Sequence, residues 1–185
     1  MVHGMELDYV ARARQVMDIE IAGVQAARDG LGEAFARAVA RFLEVLARHG
    51  RIVVTGVGKN LHIAEKVSAT LASTGSTSVV LNPMQALHGD LGILDDHDAL
   101  LVLSFSGESD ELLALVPAVK RRGIPIVTFT GRPDSSLAGF SDVVVAVAGE
   151  HLQEARDGLR ERLAEAVPGG LHARDFDVHH LPRPR

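Results

Sequence analysis

Three short stretches of this chain carry side chains whose types and spacing suit chemistry at an anion. The first is Gly58-Lys59-Asn60, which follows the β-branched run Ile52 to Thr55 and opens a helical pattern. A strand, a glycine turn and a helix aim backbone N–H groups and the positive end of the helix at one point, where an anion can sit. Lys59 adds a full positive charge there. The spacing departs from the dinucleotide fingerprint, because Leu61 stands where the third glycine belongs. It also departs from the Walker loop, because Asn60 replaces the Ser or Thr that would hold magnesium. The second stretch is Ser104-Phe105-Ser106-Gly107-Glu108-Ser109. The hydroxyls of Ser104, Ser106 and Ser109, the backbone around Gly107 and a helix start make a phosphate cradle; the plain alternative is a capped loop with exposed serines. Glu108 and Glu111 are three residues apart on the first turn and share a face. The helix dipole already favours acids there, yet a carboxylate at the mouth of an anion site repels the anion. That points to proton transfer or hydroxyl binding. The third stretch is His88-Gly89-Asp90, whose imidazole is suited to proton exchange near neutral pH or, more plainly, to bonding loop backbone.

Ser73 and Thr74 precede Gly75, which ends a helix, so their hydroxyls are weaker candidates. The chain has nine histidines, densest at His172, His179 and His180. Neither HExxH nor a zinc-ligand spacing occurs among them, so the expectation is no metal and a surface tail.

The elements that position these groups alternate. Residues from about Glu6 to His49 predict two helices, with a break at Asp29-Gly30 and a stop at His49-Gly50. The apolar stripe Val10, Ala13, Met17, Ile21, Val24 needs a covering surface, and a partner subunit supplies one. Strands are predicted at Ile52–Thr55, Thr77–Leu81, Ala99–Ser104, Ile124–Thr130 and Val143–Val147. A helix runs from Asn60, a short turn spans Met84–Leu87, Ser109 caps a helix ending at Arg122, and Asp134-Ser135-Ser136 caps a short one. The third strand is continuously apolar, as a strand covered on both faces should be. The result is an α/β three-layer sandwich with a five-stranded parallel sheet, preceded by two N-terminal helices. In such a sheet, ligands bind beyond the C-terminal strand ends near the reversal of strand order, where Lys59, Ser104 to Glu108 and Gly131-Arg132 fall. Residues 1–185 are expected to form one domain, with helices over 6–49, the sheet core over 51–147, and a divergent charged helix (Gln153 to Ala166) and tail over 151–185.

Composition narrows the function. A net charge of −5, 4% aromatic residues and no Trp exclude a general nucleic-acid surface and base-stacking platforms. No apolar run is long enough to cross a bilayer, and MVHGMELDYV lacks the basic and apolar regions of a signal peptide. Without Cys there is no disulfide or thiolate chemistry, which fits a reducing cytoplasm.

Taken together and in order, GVGKN, LASTG, ALHGDLGIL, SFSGESDELL and TGRPDSSLA resemble the sugar isomerase (SIS) domain family, and more narrowly its arabinose-5-phosphate isomerase branch, from about Val10 to Val147. The resemblance implies a five-stranded parallel sheet of flavodoxin-like order. It also implies interconversion of D-ribulose 5-phosphate and D-arabinose 5-phosphate through an enediol, with no cofactor. By the same resemblance Lys59 stabilises enediolate charge, His88 does acid–base work or binds substrate, and Glu111 is the base. His180, after Asp175-Phe176, reaches a neighbouring subunit's site, which requires an oligomer, usually a homotetramer. Gly58, Asn60, Ser73, Thr74, Ser104, Ser106, Gly107, Glu108 and Ser109 then surround substrate and phosphate. The sequence departs from the family at Asn60, where a Ser is usual. It departs again after Glu150, where a hydroxyl-rich loop is replaced by HLQEARDGLRERLAEA. A non-catalytic phosphosugar sensor and a 6-phospho-3-hexuloisomerase are the alternatives, and HGDLG argues against the second.

Overall fold

The structure is a computed structural model and describes residues 9–147. Two helices come first, α1 (Tyr9–Asp29) and α2 (Glu33–Ala47). Then strands and helices alternate: β1 (Ile52–Gly56), α3 (Lys59–Ser73), β2 (Ser78–Leu81), α4 (Pro83–Leu87), β3 (Ala99–Leu103), α5 (Asp110–Arg121), β4 (Ile126–Thr130), α6 (Ser136–Phe140) and β5 (Val143–Ala146). A 3-10 turn, Asp90–Ile93, precedes β3. Helix α1 belongs to a different compact unit from Gly30–Val147; none of its residues is buried, and Tyr9, Val10, Met17, Ile21 and Val24 are exposed.

All four strand pairs are parallel, in the order β2-β1-β3-β4-β5. Register follows side-chain alternation, because successive residues of a strand face opposite sides. Val53, Leu100, Val102 and Ile126 share one core with Ala86 of α4, Leu112, Leu115, Val116 and Val119 of α5, and Leu137 of α6. Ile52, Val54, Leu101, Val127, Val143 and Val145 share the other with Ala38 of α2 and Ala64 of α3. The sheet is thus covered on both faces, as its near-continuous apolar strands require, and the three layers and strand order match the reading of the sequence.

Helix ends differ in detail from that reading. His49, not Gly50, takes the left-handed conformation after α2, with φ 61°. Gly50 is needed for space instead: an added Cβ would collide with the His97 carbonyl. Ser109 stands at the N-cap of α5 but makes no side-chain cap bond; the carboxylates Asp110 and Glu111 in the first turn balance the dipole there. Ser135 does cap α6, its Oγ accepting from the Ala138 N–H.

The N-terminal edge of the sheet is closed by Asp98, whose side chain is 1% exposed. Its carboxylate accepts from the Arg51 N–H at 2.9 Å, Arg51 Nη2 at 2.7 Å, Arg51 Nε at 3.2 Å and the Asp95 N–H at 2.9 Å. Burial pushes this carboxyl up, but the Arg51 guanidinium and the two backbone donors outweigh it and hold the group below its usual range. The same hydrogen bond raises Arg51.

Candidate functional site

In the strand order β2-β1-β3-β4-β5, the connections leaving β1 and β3 go to opposite faces of the sheet. The crevice at the ends of these two strands is therefore the switch point, where an α/β sheet binds ligands. Lys59 is the first residue of α3, directly after β1. Glu111 is the second residue of α5, after β3 and the loop 104–109. Helix α3 has no acid in its first turn and no side-chain cap; its N-cap is Gly58, with φ 57° and ψ −123°. A lysine at that end adds to the positive helix terminus instead of balancing it. An anion seated there relieves the repulsion. Asn60 follows within the same first turn, its N–H bonded to the Val57 carbonyl. The two lips of the crevice thus carry opposite charge, a cation after β1 and a half-buried carboxylate after β3.

The loop 104–109 is preorganised. Ser104 is buried, and its Oγ accepts from the Gly107 N–H at 3.1 Å. Ser106 Oγ accepts from the Glu108 N–H at 3.4 Å. An accepting hydroxyl still carries its own proton, so both serines keep a donor for a phosphate oxygen. Gly107 has φ 66°, and a Cβ there would collide with Ser135 Oγ. The Phe105 carbonyl accepts from the Gly131 N–H and from Thr130 Oγ1, both at 3.1 Å. Its ring lies where a Cβ on Gly131 would have to go. Gly107→Ala is accordingly expected to lower stability by about 2 kcal/mol, from the forced left-handed φ and the contact with Ser135. Anion affinity should fall with it; chemical denaturation and a phosphate titration check both, and an unchanged affinity would place the anion outside this loop.

Glu108 stands apart from the proton-transfer task expected of it. Its carboxylate accepts from the backbone N–H of Ser136 at 2.8 Å. That bond first, then the Ser136 hydroxyl and the charge of Arg132, hold its carboxyl below the usual range against a small effect of burial. His88 is exposed at the C-cap of α4, after β2 and so also at the C-terminal edge. Ser73 and Thr74 are not brought to the site within the chain: α3 carries them about 20 Å along its axis from Lys59, to the opposite edge. There their hydroxyls donate to the carbonyls of Thr70 and Leu71. His180 and Glu150 lie outside the described residues. Thr130, Ser135 and Ser136 were missed as site residues. A signal was present in TGRPDSSLA, where a Ser-Ser pair opens a helix directly after the fourth strand.

Among the described residues no three His, Cys, Asp or Glu side chains gather in a way that would hold a metal ion, and no helix is long and apolar enough to cross a membrane. A cavity of about 360 Å³ lies at the opposite, N-terminal edge of the sheet, lined by Arg41, Glu44, Arg48, Lys120 and Asp142 among others. Arg41 pairs with Glu44 at 2.9 Å and Lys120 with Asp142 at 3.1 Å, so most of its positive charge is already matched, and it is remote from the strand ends that carry the candidate groups.

The sequence model of the SIS domain matches residues 45–153. Arabinose 5-phosphate isomerase KdsD of Salmonella typhi is 38% identical over 140 residues, covering 76% of this chain and 42% of the relative. The KdsD of Escherichia coli O157:H7 is 48% identical over 98 residues, covering 53% of this chain and 30% of the relative. The chain therefore spans less than half the length of these curated relatives. Among solved structures, c3406 of E. coli CFT073, in complex with a phosphosugar ligand, superposes with a TM-score of 0.71 at 29% identity, covering 94% of this chain and 98% of that one.

Proposed function

Because the chain belongs to the SIS domain family, we propose that it is an aldose–ketose isomerase of phosphosugars, interconverting D-arabinose 5-phosphate and D-ribulose 5-phosphate. The observation that carries this is the charge arrangement at the switch point: Lys59 on the lip after β1, Glu111 on the lip after β3, and the serine loop 104–109 beside them. Isomerisation needs those parts. The loop holds the phosphate through Ser104, Ser106 and Ser109. Glu111 takes the proton from the carbon next to the carbonyl, and the electron pair left behind forms the enediolate. Lys59 stabilises the charge that develops on oxygen. His88 moves a proton between the two oxygens, and the carboxylic acid of Glu111 returns its proton to the neighbouring carbon. All bonds made and broken are C–H and O–H bonds within the substrate, so no cofactor is required. The proposal includes a homotetramer in the cytoplasm, with His180 completing the site of an adjacent subunit.

A non-catalytic sensor is the second reading, favoured by the replacement of the family's hydroxyl-rich loop after Glu150. Proton exchange separates the two. The protein is incubated with ribulose 5-phosphate in deuterated water and followed by NMR. Deuterium beside the carbonyl together with arabinose 5-phosphate is the expected result. Exchange without that product would redirect the search to another sugar. Line broadening of the ligand with neither exchange nor product would support the sensor.

A further inference from the structure

We propose that Glu108 is a positioning residue: it fastens the serine loop 104–109 to the start of α6 and so presets the phosphate cradle, without touching substrate itself. The consequence for binding rests on the phosphosugar reading above; the fastening itself does not.

The loop is held from both ends. At its front, the Phe105 carbonyl is bonded by Gly131 and Thr130 at the end of β4. At its rear, the Gly107 carbonyl accepts from the Leu137 N–H at 3.1 Å, and the Glu108 carboxylate accepts from the Ser136 N–H at 2.8 Å. Ser136 and Leu137 are the first two residues of α6, so their N–H groups have no carbonyl within their own helix to bond. Ser135, the N-cap, supplies Ala138. The first turn of α6 is thus satisfied by the serine loop and by its own cap. Of these contacts, the Glu108 bond is the one a side-chain substitution can remove from the loop without changing its backbone. It is also charge-assisted, the stronger kind of hydrogen bond. With its carboxylate engaged in this way, the acid at the mouth of an anion site is turned toward a backbone donor, which answers the repulsion its presence there would otherwise cause.

The donor can be removed independently. Ser136 is the first helical residue of α6, the position where proline is best tolerated and where its missing N–H disturbs no intrahelical bond. Ser136→Pro therefore deletes the donor, Glu108→Ala deletes the acceptor, and Glu108→Gln keeps an accepting oxygen. Arabinose 5-phosphate is titrated into the wild type, these three variants and the double variant E108A/S136P. Exchange of the Ser136 amide is followed by NMR in the ligand-free wild type and Glu108 variants. The expected results are an affinity about fivefold weaker in Glu108→Ala and in Ser136→Pro, near-normal affinity in Glu108→Gln, and a double variant no weaker than either single one. Saturated kcat should stay within about twofold, since the cradle holds phosphate and not the reacting carbons. Ser136 amide exchange should quicken in Glu108→Ala but not in Glu108→Gln.

Unchanged amide exchange in Glu108→Ala would overturn the fastening, whatever the ligand results. Additive losses in the double variant, or a Gln variant as weak as Ala, would overturn the positioning role and put Glu108 in contact with the sugar. A wild type that ignores arabinose 5-phosphate while the amide pattern holds would leave the fastening standing and sink the substrate assignment.

Discussion

Glu111→Gln is expected to lower kcat for arabinose 5-phosphate about a thousandfold, in the range that a general base contributes, while leaving the dissociation constant within about threefold. The expectation follows from where the residue stands. Glu111 is the second residue of α5, in its first turn, on the lip of the switch-point crevice across from Lys59. The residues that anchor α5 to the sheet are Leu112, Leu115, Val116 and Val119, so a change at Glu111 leaves the packed face untouched. Glutamine has the same shape and still accepts and donates hydrogen bonds, but it cannot take up a proton. A base that removes a C–H proton has no substitute in the amide, whereas a group that merely binds a sugar hydroxyl does. Steady-state kinetics with a parallel binding titration give the answer. A Gln variant with near-normal kcat would remove Glu111 from the proton transfer and leave His88 as the remaining candidate base at the C-terminal edge. Lost binding with normal saturated turnover would make it a hydroxyl ligand.

The contrast between Glu111 and Glu108 shows where sequence was enough and where it was not. The strands were legible because each is a run of β-branched or apolar residues with a turn signal at its end. Parallel order followed because the helical segments between them are long enough to cross over. Lys59, His88, the serine loop and Glu111 could be placed at the C-terminal edge from that alternation alone, since each follows a strand directly. What remained hidden depends on partners distant in sequence. Glu108 bonds an N–H twenty-eight residues away, and no local pattern separates it from Glu111 three positions later. Ser73 and Thr74 looked close to the site because LASTG travels with the other motifs. The length of α3 carries them to the far edge. His49 takes the left-handed turn expected of glycine because Gly50 is required for close approach to His97, a constraint set by a loop nearly fifty residues on. The 3-10 turn at Asp90–Ile93 is too short for any periodicity to announce it.

Far from the site, Asp98→Asn is expected to lower unfolding free energy at neutral pH by about 3 kcal/mol, the low end for removing one partner of a buried ion pair. The low end applies because the Arg51 side chain is 30% exposed and regains water when its partner is neutralised. Asp98 joins three segments at once: it bonds both the backbone and the guanidinium of Arg51 ahead of β1, and the N–H of Asp95 in the turn before β3. Asparagine offers one accepting oxygen to these four donors and turns an N–H₂ group toward at least one of them, leaving buried donors unmatched. The pH dependence identifies the charge as the cause. The folded carboxyl is held below its usual range, so its contribution is fully present above the unfolded value of about 4 and is lost as pH falls through the lower, folded value. The stability gap between wild type and Asp98→Asn should therefore be constant from neutral pH down to about 5 and shrink below about 4. Denaturant melts across that range measure it directly. A gap that persists unchanged into strong acid would assign the loss to packing at the sheet edge. The Arg51→Met variant supplies the converse: it leaves Asp98 buried with only backbone donors, removes the cation that outweighs burial, and should move the acid transition of the folded state toward higher pH.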